Sequence, residues 1–218
     1  MNTNKRIGRV VGILFLFIFI AGVATYQFLQ APLFSDDFIN EIAANRNQII
    51  SSVLLNMLSG IISISIAVLL LPTFKKYSYN LAMLYFSFTF LNFIAIVIDN
   101  GSIFSLLEFS IQVSGNNIDS SESLNVLKTI LYKKHWWTHY VSLLTSSVPV
   151  FVFYYNLYFT KLVPRIISTV GMIATTLMFI EMLSSIFGNS ISMNLLLPMG
   201  LIQLFLPFWL FIKGLKEN

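Results

Sequence analysis

The chain has 218 residues, of which 56% are hydrophobic and 10% charged, with a net charge of +4 and no cysteine. A water-soluble domain carries about 25% charged residues, so a soluble fold of this length could not cover its apolar surface. The missing cysteines exclude disulfides, thiolate metal sites, cysteine nucleophiles and thiol redox sensing.

The apolar residues lie in blocks about 20 long, which fits a hydrocarbon core roughly 30 Å thick. Six spans follow in order: about 10–29, 49–71, 81–104, 136–159, 166–187 and 193–212. Each crosses as a helix, the form that satisfies its own backbone in lipid. The expectation is an all-α bundle of six transmembrane helices forming a single domain over 1–218, a multi-pass protein of the cell membrane.

Span one opens on Lys5, Arg6 and Arg9, and Gly22-Val23-Ala24 imitates a signal-peptide cleavage site. The apolar run continues to Leu29, so the segment reads as an uncleaved span. Orientation follows from the basic residues. Lys5, Arg6, Arg9, Lys75, Lys76, Lys161, Arg165, Lys213 and Lys216 share one side, nine of the thirteen in the chain. The positive-inside rule therefore places both termini in the cytoplasm. These charges sit in short loops beside apolar spans, so topology accounts for them and nucleic acid is not an expected partner; the lipid bilayer is.

Two outer loops are expected, 30–48 and 107–134. The second contains the turn-like Ser114-Gly115-Asn116-Asn117. Asp119 and Glu122 then have capping-box spacing, and Leu124, Leu127, Ile130 and Leu131 form an apolar stripe. Residues 119–134 thus read as an amphipathic helix at the outer surface or an extension of span four. Trp136 and Trp137 follow at the place of an aromatic belt. Arg6-Ile7 with Val11-Gly12 and Arg165-Ile166 with Val170-Gly171 share a spacing, which two helix starts with a packing glycine explain as well as a repeat does. Pro149 should kink span four, and Pro198 and Pro207 should bend span six.

Several of these features together resemble a known family. Lys5-Arg6-Ile7 leads into a span; a Leu/Ser-rich second span ends at Leu71-Pro72; span four ends near Leu162-Val163-Pro164-Arg165-Ile166; and Ile212-Lys213-Gly214 closes the chain. This pattern resembles the bacterial membrane family catalogued as domain of unknown function 4386. His135 and Glu181 match polar positions of that family, where the latter is often Asp; Tyr85 to Phe90 lack the Arg and acid of its third span. The resemblance implies a six-helix bacterial membrane protein and brings no substrate, cofactor or catalytic residue.

Ionisable groups within the hydrocarbon cost roughly 2.5–3.5 kcal/mol each on insertion. Glu181 should lie about 9 Å deep at 1.5 Å per residue, on a face shared with Gly171, Ala174, Met178 and Ser185. That face suits packing, so Glu181 should point inward and meet Asp99, His139 or Asn92. Tyr85, Asn92 and Asp99 recur every seven residues, with Ser102 beside them. His135 and His139 are one turn apart, and Ser142 and Ser146 continue their face. Asn56, Ser59, Gly60 and Ser63 read as a close-packing seam.

Glu181, Asp99, His139, His135 and Asn92 are therefore the candidates for ligand binding or proton-linked chemistry. His135, His139, Asp99 and Glu181 could also hold a divalent metal, although no cofactor is the leading expectation. Walker, dinucleotide-binding, His-Glu-x-x-His and Gly-x-Ser-x-Gly motifs are absent. The leading expectation is a non-enzymatic protein that binds a small molecule, lipid or partner in an outward-facing polar cavity between spans three, four and five. A metal-assisted intramembrane hydrolase and a proton-coupled transporter are the alternatives.

Overall fold

A computed structural model describes residues 3–115, 122–189 and 193–216. The described residues form helices and no strand: α1 (Thr3–Val23), α2 (Phe38–Ala44), α3 (Arg46–Lys75), α4 (Tyr79–Gly115), α5 (Glu122–Thr160), α6 (Arg165–Ile186) and α7 (Leu197–Lys213). Six helical segments are long and apolar enough to cross a membrane, each overlapping one expected span. Many large side chains point outward, Ile20, Phe90, Ile98, Ile166 and Leu201 among them. Such exposure suits a bundle whose solvent is hydrocarbon.

The basic loops gather at one end of the bundle. The Lys216 amide donates to the Leu162 carbonyl at 2.8 Å, joining the chain's last described residue to the α5–α6 turn. Asn156 donates its amide to the Leu81 carbonyl at 3.2 Å, so the end of α5 meets the start of α4. Ser78 accepts from the Leu81 amide and serves the orphan donors of that helix start. A Cβ placed on Gly12 would stand 2.7 Å from the Pro207 carbonyl and 2.8 Å from the Phe211 nitrogen, so α1 and α7 touch backbone to backbone there.

The opposite end departs from expectation. No loop begins at residue 107: α4 runs 37 residues and α5 runs 39. About 20 residues suffice for the hydrocarbon, so both helices project well past it. Residues 122–134 are the first turns of span four, the second of the two expected forms. Within the apolar stripe, Leu131 packs on the outer core, whereas Leu127 and Ile130 are exposed. Asn116, Asn117 and Asp119, invoked for the turn and the cap, lie outside the described residues.

The prolines of spans four and six all sit within their helices. Pro149 and Pro207 lie inside continuous helices, and Pro198 occupies the first turn of α7, where no backbone donor is required. α1 passes instead into a π-helical stretch, Ala24–Leu29, and a short 3₁₀ turn, Ala31–Phe34. Gln48 donates to the carbonyls of Phe28 and Leu29 at 2.9 and 3.3 Å, serving the acceptors this irregular backbone leaves over.

Two apolar cores result. One, near the basic end, contains Phe74, Tyr85, Phe153, Tyr154 and Leu206. The other, at the opposite end, contains Leu33, Ile42, Ile49, Val53, Ile103, Leu106 and Leu107, with Phe38 and Leu131 against it. α2 lies on the projecting part of α4, where Ser114 donates to Asn40 at 2.8 Å. Gly12→Val should lower stability by about 1–3 kcal/mol, because neither neighbouring backbone can yield. Gly22, which has nothing within 4 Å of an added Cβ, should accept Ala with a gain of about 0.5–1 kcal/mol. Thermal unfolding in detergent compares the two variants, and equal melting temperatures would contradict the close α1–α7 contact.

Candidate functional site

A polar layer separates the two apolar cores. Its members lie about 20 residues from the basic end of their helices, roughly 30 Å at 1.5 Å per residue. From α1 and its π-helical continuation come Tyr26 and Gln30; from α3, Ser52 and Asn56; from α4, Asp99, Asn100 and Ser102; from α5, His135, Thr138 and His139. This depth is the boundary, on the side away from the basic loops, of a hydrocarbon core about 30 Å thick.

Asp99 is its centre, 2% exposed. Its Oδ1 lies 3.3 Å from His135 Nδ1, and its Oδ2 lies 3.2 Å from His139 Nδ1. Thr138 donates its hydroxyl to Oδ1 at 2.9 Å. Ser102 donates to the Asp99 carbonyl at 2.6 Å and stands 2.8 Å from the Thr138 hydroxyl and 3.3 Å from His135 Nδ1. A helix turn separates His135 from His139, so both rings fall on the α5 face towards α4.

Chemistry follows from the donor inventory. A carboxylate only accepts, so a neutral ring facing it carries its proton on Nδ1 and leaves Nε2 as an acceptor. Protonation turns each Nε2 into a donor and places positive charge beside the carboxylate. His135 is enclosed, whereas the His139 side chain is 22% exposed and forms the outlet of the group. Tyr26 meets the His139 ring edge-on with centroids 5.4 Å apart. It also shares a hydrogen bond with Asn56, whose amide reaches Asn100 Oδ1 at 3.4 Å. The Asn100 amide nitrogen is buried without a partner.

The seven-residue stripe on α4 is thus the seam with α5. Tyr85 packs on Phe153, Asn92 accepts from Thr145 at 3.3 Å, and Asp99 meets the histidines. Asn92 makes its own rung, about 10 Å nearer the basic end, and is not bonded to the Asp99 group.

Glu181 is buried at 5% exposure, on the face expected for it, with Gly171, Ala174, Met178 and Ser185 also buried. Its partner differs from the expectation. Oε1 accepts from Ser185 of its own helix at 3.0 Å, and Oε2 has no partner among the described residues. The physical reason is positional: Asp99 is taken up by the two histidines of α5, and Asn92 by Thr145. The four donors considered for a metal therefore do not assemble. Among the described residues no group of three or more His, Asp or Glu side chains is arranged to hold an ion.

The two most pronounced surface concavities, about 560 and 420 Å³, lie along Glu122–Ile130 and Ala44–Gln48. Neither includes a residue bonded to Asp99. Tyr26, Thr138 and Asn100 were not among the expected site residues. The usable signal was similar depth: the polar residues stand roughly 17–26 residues from the nearest basic loop.

The model of the family described as a domain of unknown function, DUF4386, matches residues 10–214, so the chain belongs to that family. Comparison with curated proteins and with solved structures gives no match.

Replacing Asp99 by Ala should cost about 3–5 kcal/mol, because it strands the buried partners of a charged group. Asn92→Ala breaks a single neutral bond and should cost about 1 kcal/mol. Chemical unfolding in mixed micelles measures both; a smaller loss for Asp99→Ala than for Asn92→Ala would contradict the central place of Asp99.

Proposed function

We propose that this DUF4386 member is a small non-enzymatic protein of the cell membrane that takes up protons and a small polar molecule or lipid headgroup from the outer side. The Asp99–His135–His139 group receives them, and both termini lie in the cytoplasm. One observation carries the reading: a single buried carboxylate shared by two imidazole nitrogens, at 3.3 and 3.2 Å.

An ion-paired group at the outer hydrocarbon boundary needs a reason beyond packing, since apolar residues of similar volume are often as stabilising as a buried charged pair. Histidine changes charge in the physiological range. Uptake of a proton here changes which groups donate and which accept, and so which ligand the layer can hold. His139, the more exposed of the two rings and edge-on to Tyr26, is the side chain a visitor meets first. The gathering of nine basic residues at the far end supports the orientation.

Two measurements test this reading. Trp136 and Trp137 adjoin His135, so in a Trp209→Phe background the tryptophan fluorescence should show a reversible step on acidification. The step should vanish in a His135→Gln, His139→Gln double variant; a step that survives there would remove the histidines from the proposal. For orientation, the absence of native cysteine permits single-site labelling. In intact cells an impermeant maleimide should modify Asn125→Cys and spare Lys76→Cys until the membrane is opened. The reverse pattern would invert the topology and place the group beside the cytoplasm.

A further inference from the structure

Glu181 is left unexplained by the Asp99 group. The residue is 5% exposed, Ser185 satisfies one carboxyl oxygen, and the other has no donor among the described residues. A carboxylate offers about four lone-pair sites. Both ion pairs recorded among the described residues belong to Asp99. The other charged residue of α6, Arg165, is about 24 Å away along the helix axis. On α5, His139 faces Asp99, and on α7 the basic Lys213 sits in the last turn at the far end.

The surroundings select what could complete it. Met178, one turn before Glu181, and Met182, the residue that follows it, are buried members of the main core. A hard metal cation takes about six or more oxygens, whereas the recorded polar contact of Glu181 is Ser185 alone. An organic ammonium makes a different demand. One charge-assisted N–H bond serves its head, and soft, adaptable methionine side chains accept an alkyl or aryl body. Phe179, Ile180 and Leu183 lie on the exposed face of the same helix, and α6 ends at Ile186. A lipophilic cation dissolved in the outer half of the bilayer would thus approach within about 8 Å of helix length.

We propose that Glu181 is a second binding site, separate from the Asp99 group, for a lipophilic organic ammonium ion. Oε2 accepts from the ammonium, and the Met178–Met182 face holds the apolar body.

The test uses the full chain in nanodiscs with benzylammonium as probe and benzyl alcohol as the uncharged control. Calorimetric titration should show benzylammonium binding that weakens about tenfold or more in Glu181→Gln, a loss of one charge-assisted contact. Benzyl alcohol should bind neither form measurably. Equal affinity in the variant, or equal binding of the alcohol, would overturn the site. A second measurement covers a variant that does not fold. Dicyclohexylcarbodiimide adds to a carboxylic acid: the acid hydrogen passes to one nitrogen, the oxygen to the central carbon, and an acyl shift leaves an N-acylurea with nothing expelled. Mass spectrometry should find this adduct on Glu181 of the native chain, formed more slowly when benzylammonium is present. An undiminished rate would also overturn the proposal. The fluorescence step of the histidines is a separate readout, so either site can fail alone.

Discussion

The bond system around Asp99 fixes how the upper half of the bundle is put together. Lipid offers no donors, so a carboxylate at the hydrocarbon boundary must find every partner within the protein. Asp99 finds His135, Thr138 and His139 on α5 and Ser102 on its own helix. That set requires α4 and α5 to face each other in one register. The same register carries Asn92 to Thr145 and Tyr85 to Phe153. The lower seam and the polar centre are therefore consequences of one alignment, and a slip of one residue on either helix would break both.

The layer also explains why α1 leaves regular geometry where it does. An α-helix continued through Ala24–Leu29 would keep its carbonyls engaged and leave Gln48 without its acceptors at Phe28 and Leu29. The wider π turn places Tyr26 between His139 and Asn56. π segments are rare and recur at functional sites. Here the irregular backbone carries Tyr26 to the exposed edge of the Asp99 group, against the His139 ring.

Much of this was legible in the sequence, and the rest was hidden for physical reasons. Span number and place follow from block length, because the bilayer imposes one scale on every helix. The stripe of Tyr85, Asn92 and Asp99 was visible as period seven, and the histidines as period four, since both depend only on helix geometry. Helix length beyond the membrane was not visible. Residues 105–115 and 122–134 are mixed in polarity, and α2 and the outer core hold them in helical form through contacts distant in sequence. The partner of Glu181 was misjudged for a related reason. Depth and inward orientation are properties of one helix, but a partner depends on how neighbouring helices rotate. Rotation is set by packing, as between Gly171 and the Tyr154 ring, which no periodicity records.

Asp99 and Glu181 show two solutions to the same electrostatic problem. Asp99 is matched by two imidazoles and a hydroxyl of a neighbouring helix, each of which can offer it a donor. Glu181 is matched by a serine, which can orient a carboxylate but not neutralise it. The first arrangement is self-contained. The second is incomplete as it stands, and completing it requires something that carries a donor. Their separation on different helices keeps the two apart: α5 stands between them, with one face committed to α4 through the histidines and another to α6 through Tyr154.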